Sequence, residues 1–282
     1  MNPNQFDRRR LFAVGSSVAV AGGLGIQTAK AQIGKKRRTK KRDWASQEFR
    51  KLVALGESTT AGGWSTSRQR CWVSLLGELI NDFQAEKMEV FNAGIGSNVI
   101  STMSPCYPHS GKPAADERLG KHVIGKKPDL LVVSYGLNDA RGGTPVKQFK
   151  QSMANVVRQV RKKIQPLIVL LGPYYMTDFG GGGKAWTNAD LGVFESYNRG
   201  IAEVARQERC LYVDLLSAYG NTDWMIHYDG IHANNLGHRI VANQIFQVLA
   251  QNCSGMARNT QRLERKSPRW RNESKLKADY GY

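Results

Sequence analysis

Residues 129–139 read Asp-Leu-Leu-Val-Val-Ser-Tyr-Gly-Leu-Asn-Asp. The apolar run Leu130 to Val133 has no polar alternation, which is the signature of a strand buried on both faces of a sheet. It leads directly into a glycine and a polar cluster, Gly136-Leu137-Asn138-Asp139. The same order recurs along the chain. Lys51 to Leu55 forms a short apolar strand that meets Gly56 and then Glu57-Ser58-Thr59-Thr60. Met88 to Asn92 ends at the glycine pair Gly94 and Gly96, and Leu167 to Leu171 and Cys210 to Leu215 complete five strands. Between them lie segments with a helical period. Residues 69–83 place Trp72, Leu75, Leu76, Leu79 and Ile80 on one face, and residues 145–163 do the same with Phe149, Met153, Val156, Val157 and Val160. Two further helices are expected over residues 194–208 and 235–250. Residues 97–127 have no clean period and predict a long excursion with a short helix near 113–122. Residues 173–192, with Gly180 to Gly183, predict a loop. Strands alternating with helices in this way specify an α/β domain, a parallel sheet with helices on both faces.

The composition agrees with a folded domain. In 282 residues, 41% are hydrophobic and 23% charged, which excludes a collagen, a coiled coil and a wholly disordered chain. The net charge of +18 would point to nucleic acid if it were spread over the domain. It is not. Residues 32–43 carry seven basic residues and one acidic, and residues 254–282 carry eight and three, leaving residues 44–253 with a net of only +4. A nucleic-acid enzyme needs its positive charge in the folded body. The basic ends therefore read as solvated flanks or weak contacts to anionic surfaces, and no specific nucleic-acid partner is expected.

The first 31 residues read as an address. Asp7-Arg8-Arg9-Arg10-Leu11-Phe12 precedes an uncharged, glycine- and alanine-rich run, and Ala29-Lys30-Ala31 offers small residues for cleavage. A basic segment, a mildly apolar segment and a small-x-small exit make up a secretory signal. This one resembles a twin-arginine signal. The expected organisation is a signal peptide at 1–31, a disordered basic linker at 32–47, a folded α/β domain at 48–253 and a basic tail at 254–282. The mature chain would begin at Gln32, carry no transmembrane segment, and reside in the periplasm or outside the cell.

Ligands of open α/β sheets bind beyond the carboxyl ends of the strands, and polar clusters sit at just those places. Besides the blocks at Gly56-Glu57-Ser58 and Gly136-Leu137-Asn138-Asp139, there is Asn92-Ala93-Gly94-Ile95-Gly96-Ser97-Asn98, and Asp229-Gly230-Ile231-His232 before the last helix. A serine hydroxyl needs a neighbouring base to become a nucleophile, and an imidazole three residues from a carboxylate meets the requirements of that base. The set resembles the SGNH, or GDSL-type, hydrolases over roughly residues 50–250. The resemblance implies a flavodoxin-like three-layer α/β/α sandwich with a five-stranded parallel sheet, and no cofactor. It implies Ser58 as nucleophile, His232 as base and Asp229 as its orienter. The oxyanion donors would be the N–H of Ser58, the N–H of Gly96 or Ser97, and the amide of Asn138. Two positions depart from the family pattern. Glu57 stands where the serine block has aspartate, and Ser97 stands where the second block has glycine.

The implied activity is hydrolysis of carboxylic esters through an acyl-enzyme, with short acyl groups such as O-acetyl on carbohydrate as the expected substrates, whether small molecules or acylated polysaccharide. A lipase or lysophospholipase is the alternative within the family. A non-catalytic binder of acidic polymers is the alternative outside it, although a binder has no need of all four blocks. Other site chemistries fit poorly. Gly94-x-Gly96 lacks the third glycine of a dinucleotide fingerprint, and Gly56-Glu57-Ser58-Thr59-Thr60 lacks the lysine of a phosphate loop. His227, Asp229 and His232 could hold a metal, but Asp229 and His232 are better used on each other, so no metal is expected. Asp139 reads as a structural acceptor. Trp64, Trp72 and Trp186 read as core or rim aromatics, with Trp186 the one expected to touch substrate. Finally, four cysteines in an oxidising compartment invite disulfides. Cys71 and Cys106 are placed at the active-site edge of the sheet and Cys210 and Cys253 at the opposite edge, so the expected bonds are Cys71–Cys106 and Cys210–Cys253.

Overall fold

The computed structural model describes residues 41–267 and 273–281; the export signal expected at residues 1–31 lies outside the described residues. Strands β1 (Lys51–Gly56), β2 (Glu89–Gly94), β3 (Leu130–Ser134), β4 (Leu167–Leu171) and β5 (Leu211–Val213) form one sheet in the order β2-β1-β3-β4-β5. Every neighbouring pair is parallel, as the apolar runs require. Eleven α-helices are described. They are α1 (Ser58–Ala61), α2 (Trp72–Asn81), α3 (Tyr107–Ser110), α4 (Ala115–His122), α5 (Leu137–Arg141) and α6 (Val146–Arg161), then α7 (Leu191–Gln207), α8 (Leu215–Tyr219), α9 (Asn235–Asn252), α10 (Arg258–Glu264) and α11 (Glu273–Tyr280). Helices α2 and α9 pack together on one face of the sheet, while α6 packs between α4 and α7 on the other. The result is the expected three-layer sandwich. No described helix is long and apolar enough to cross a membrane.

The central strands are buried on both sides, with Leu52 to Leu55, Leu130 to Val133 and Ile168 to Leu170 sealed from solvent. The chain leaves β1 for β2 on one side and later starts β3 on the other, so β1/β3 is the point where strand order reverses and a crevice opens. Gly56 at the end of β1 lies level with Gly94 of β2 and Ser134 of β3. Helix α1 sits hard against these ends. A Cβ on Gly56 would lie 2.0 Å from Thr60 Oγ1, and one on Gly94 would lie 2.1 Å from the backbone nitrogen of Ala61. These two glycines let the Ser58 helix settle directly on the sheet.

The expected disulfides do not form: all four cysteines are buried free thiols. The edge argument fixed height along the strands but not the face of the sheet. Cys71 caps α2 in one helical layer, whereas Cys106 packs with Val99 and Ala114 and lies against Gly142 behind α5. Likewise Cys210 sits beside Arg161 at the end of α6, while Cys253 caps α9 in the opposite layer. Burial also pushes three of these thiols up, Cys106 and Cys210 to about 11 and Cys253 to about 12.

The folded body reaches past both ends of the 48–253 domain expected from the sequence. Trp44 N–H donates to the Asn252 carbonyl and Gly255 N–H to that of Ala45. Ser254 donates through its N–H and hydroxyl to Asp43, and Arg42 lies over the Trp44 ring. Met256 is buried in the core, whereas α10 and α11 bury no residue. The Met256→Ala substitution should therefore cost about 2–3 kcal/mol, read as a lower urea midpoint with unchanged slope. An unchanged midpoint would mean that residues 254–257 rest on the body without stabilising it.

Candidate active site

The turn after β1 delivers Ser58 as the first residue of α1, so its N–H has no acceptor within the helix and faces outward. The connection between α8 and α9 delivers the other two members. Asp229 Oδ1 accepts the N–H groups of Ile231 and His232, both at 3.0 Å, which curls the loop so that its other oxygen meets the ring of His232. Asp229 Oδ2 lies 2.6 Å from His232 Nδ1, and His232 Nε2 lies 2.9 Å from Ser58 Oγ. The His227 N–H donates to the His232 carbonyl and closes the loop. Three residues expected from sequence thus form one continuous relay across 174 positions of chain.

The electrostatics suit a general base. Burial lowers the His232 pKa below the ordinary histidine value, although the hydrogen bond and charge of Asp229 pull it back up. Burial pushes Asp229 upward, but the N–H groups of His232 and Ile231 and the ring itself outweigh this and hold it below the ordinary value. At neutral pH the ring is neutral and the carboxylate charged, the pairing that proton abstraction requires.

Asn138, in α5 after β3, is buried. Its Nδ2 donates to the Asn98 carbonyl at 3.0 Å, which uses one of its two amide hydrogens. Asn98 belongs to the loop after β2, where Ser97 adopts a left-handed φ of 56°. Asp139 accepts from Ile100 N–H and the Ser104 hydroxyl, the structural role expected of it. Trp186 lies half-buried over Val99, Cys106 and Ala114.

Several residues of this region were not singled out as functional from the sequence. Glu57 is buried, and its two carboxyl oxygens accept the N–H groups of Leu137 and Asn138 at 3.0 and 2.9 Å. It therefore joins the nucleophile turn to α5. An acidic residue set between an apolar strand and a serine was the available signal. Arg118 of α4 is also buried. Its guanidinium donates to the carbonyls of Ala93 and Gly56, to Asn98 Oδ1 and to the Tyr135 hydroxyl, tying together the ends of β1, β2 and β3. Arg141 donates to the Gly181 carbonyl of the glycine loop. Trp64 stacks flat on the His232 ring, with centroids 3.3 Å apart and planes 5° from parallel.

The sequence profile of the GDSL-like lipase/acylhydrolase family matches residues 54–240. Among curated proteins, Esterase TesA of Pseudomonas aeruginosa is 28% identical over 188 residues, covering 64% of this chain and 78% of that protein. An arylesterase of Vibrio mimicus is 25% identical over 117 residues, covering 42% and 52%. Among solved structures, a lipase/acylhydrolase of Enterococcus faecalis superposes with a TM-score of 0.58 at 24% identity, over 72% of this chain and 96% of that one. The acetylxylan esterase Axe2 of Geobacillus stearothermophilus gives 0.54 at 18% identity, over 72% and 95%. The structural likenesses establish a shared fold.

Glu57 leads to a stability prediction. Burial foremost, then the charge of Asp139, raises it to about 8 from 4.5, against the pull of the two N–H donors and Arg141. A carboxyl raised on folding contributes its stability below its unfolded value and loses it as pH climbs through the folded one. Wild-type stability should fall between pH 4.5 and about 8, while Glu57→Gln lacks this component. The gap between the two in urea unfolding should narrow as pH rises. Parallel profiles would contradict the assignment.

Proposed function

The chain belongs to the GDSL-like lipase/acylhydrolase family, and we propose that within it the chain is a serine esterase removing short acyl groups, O-acetyl foremost, from carbohydrate. One observation carries the reading: the relay from Ser58 Oγ through His232 to Asp229, at 2.9 and 2.6 Å. Ser58 Oγ attacks the ester carbonyl carbon while its proton passes to His232 Nε2, and Asp229 holds the tautomer by accepting from Nδ1–H. The carbonyl oxygen, now negative, is met by the N–H of Ser58, the N–H of Gly96 or Ser97, and the Asn138 amide. Such donors act because they are fixed before charge develops. Collapse of the intermediate breaks the carbon–oxygen bond to the alcohol, which leaves with the proton from His232. Water then repeats the sequence on the acyl-Ser58 ester and releases the acid.

The sugar preference draws on the loop that carries the base. Trp224 and Tyr228, 74% and 96% exposed, present open aromatic faces suited to apolar sugar surfaces. The fold neighbour Axe2 is itself an acetylxylan esterase. Export to the periplasm or beyond rests on the Arg8-Arg9-Arg10 leader pattern, and weak contact with anionic surfaces rests on the basic residues that the sequence gathers at 32–43 and 254–282.

Ser58→Ala should lower kcat by at least about 10,000-fold, and Asp229→Asn by about 10,000-fold. Asn138→Ala should cost about 100- to 1,000-fold. A comparison of p-nitrophenyl acetate, long-chain p-nitrophenyl esters and acetylated xylan tests the substrate class. Preference for long acyl chains would replace the carbohydrate reading with a lipase, and ester cleavage surviving in Ser58→Ala would remove the triad.

A further inference from the structure

The relay explains the two edges of the His232 ring but not its face. Asp229 occupies the Nδ1 side and Ser58 the Nε2 side, both in the ring plane. The indole of Trp64 covers one face in nearly perfect parallel, and the indole itself is only half-buried.

The chain holding Trp64 is fixed at both ends to catalytic elements. On one side Gly62 closes α1 in the left-handed conformation, φ 75°, with its N–H on the Ser58 carbonyl. A Cβ there would strike the Cys71 side chain at 2.4 Å. Ser65 turns back onto the Gly62 carbonyl through its N–H and hydroxyl. On the other side Thr66 exchanges two hydrogen bonds with Asn235, the first residue of α9, at 2.9 and 2.8 Å. The indole therefore spans from the nucleophile helix to the base loop.

The ring needs a partner on that face only when it is charged. Once it has taken the Ser58 proton it is an imidazolium, and the electron-rich face of an indole attracts a cation at this range. The charged and titratable surroundings are otherwise mixed. Asp229 favours the cation; Arg141 of α5 and His227 on the same loop oppose it, and His238 of α9, lowered to about 4 by burial and then by His232 itself, stays neutral.

We propose that Trp64 is a positioning residue of the hydrolase: its indole holds the His232 ring in the plane shared by Ser58 and Asp229, and stabilises the imidazolium formed during acyl transfer. The indole forms no bond and exchanges no proton. The inference rests on the triad reading above.

The test compares wild type with Trp64→Ala and Trp64→Phe on a soluble p-nitrophenyl ester between about pH 5 and 9. Trp64→Ala should lose about five- to tenfold in kcat with little change in KM. The acid limb of its kcat/KM profile should move down by about half a pH unit, because the imidazolium has lost its partner. Trp64→Phe, which retains an aromatic face, should recover most of both effects. An unmoved limb, or one moved upward, in a Trp64→Ala protein of wild-type urea midpoint would overturn the proposal; so would a phenylalanine variant as impaired as the alanine one. A second readout is independent of turnover. Excited indole loses fluorescence to a stacked imidazolium, so the difference signal between wild type and Trp64→Phe should fall with decreasing pH, and His232→Gln should abolish this titration. If no ester is cleaved by wild type, that titration still supports the stack. Its absence overturns the stack even in an active enzyme.

Discussion

The carboxyl group of Glu57 accepts two backbone N–H groups from the start of α5, and the geometry of the site depends on that joint. Ser58 arises from the turn after β1 and Asn138 from the turn after β3. Adjacent strands bring the two turns near each other, but adjacency alone leaves each free to shift by more than catalysis tolerates. Glu57 precedes one of these residues and binds the backbone of the other. Beneath it, Arg118 collects the Gly56 and Ala93 carbonyls, Asn98 and Tyr135, so the ends of three strands share one polar anchor. Such networks are costly to bury, and this one is not fully matched, since Arg118 Nε is buried with no hydrogen-bond partner among the described residues.

This layout gives each layer of the sandwich a share in the site. The α4–α6–α7 face supplies the Arg118 anchor, while the α2–α9 face leads into the base. His238, one turn into α9, accepts from the Trp72 N–H at the start of α2, and the Asn234 side chain caps α9 with bonds to Leu236 and Gly237. The loop holding Asp229 and His232 is consequently fastened to a long helix on one side. On the other, the Thr177 and Asp178 N–H groups donate to the Gly230 carbonyl. A base placed on so short a loop keeps its position because both flanks are rigid.

The strands and long helices were legible because their apolar periods are undisturbed, and the triad was legible because Ser58 follows the end of β1 and the Asp229–His232 pair stands just before the last sheet-packing helix, α9. Other features depended on information a linear pattern does not carry. Cysteine pairing required the face of the sheet as well as the edge. Glu57 looked like a weakened motif, and its two acceptor bonds emerge only when β3 is beside β1. Trp64 resembled any rim aromatic until the turn at Gly62 brought it over the ring. The charge run preceding residue 44 concealed a change of character at Trp44, where the aromatic residues Trp44 and Phe49 join the core.

That last segment bears on how the chain reaches its final form. Asp43 and Ser254 are 211 positions apart, yet bond directly. The seam they close joins the first part of the body to be synthesised with nearly the last. A nascent chain can assemble its sheet strand by strand, but residues 42–47 must wait without their partners until residues 252–256 are made. The entropy of closing so long a loop grows only slowly with length, so the delay is one of timing more than of energy. The seam thus closes only on a finished body: until Asn252 and Gly255 arrive, the Trp44 N–H lacks its acceptor, the Ala45 carbonyl lacks its donor, and the Trp44 ring lacks part of its cover.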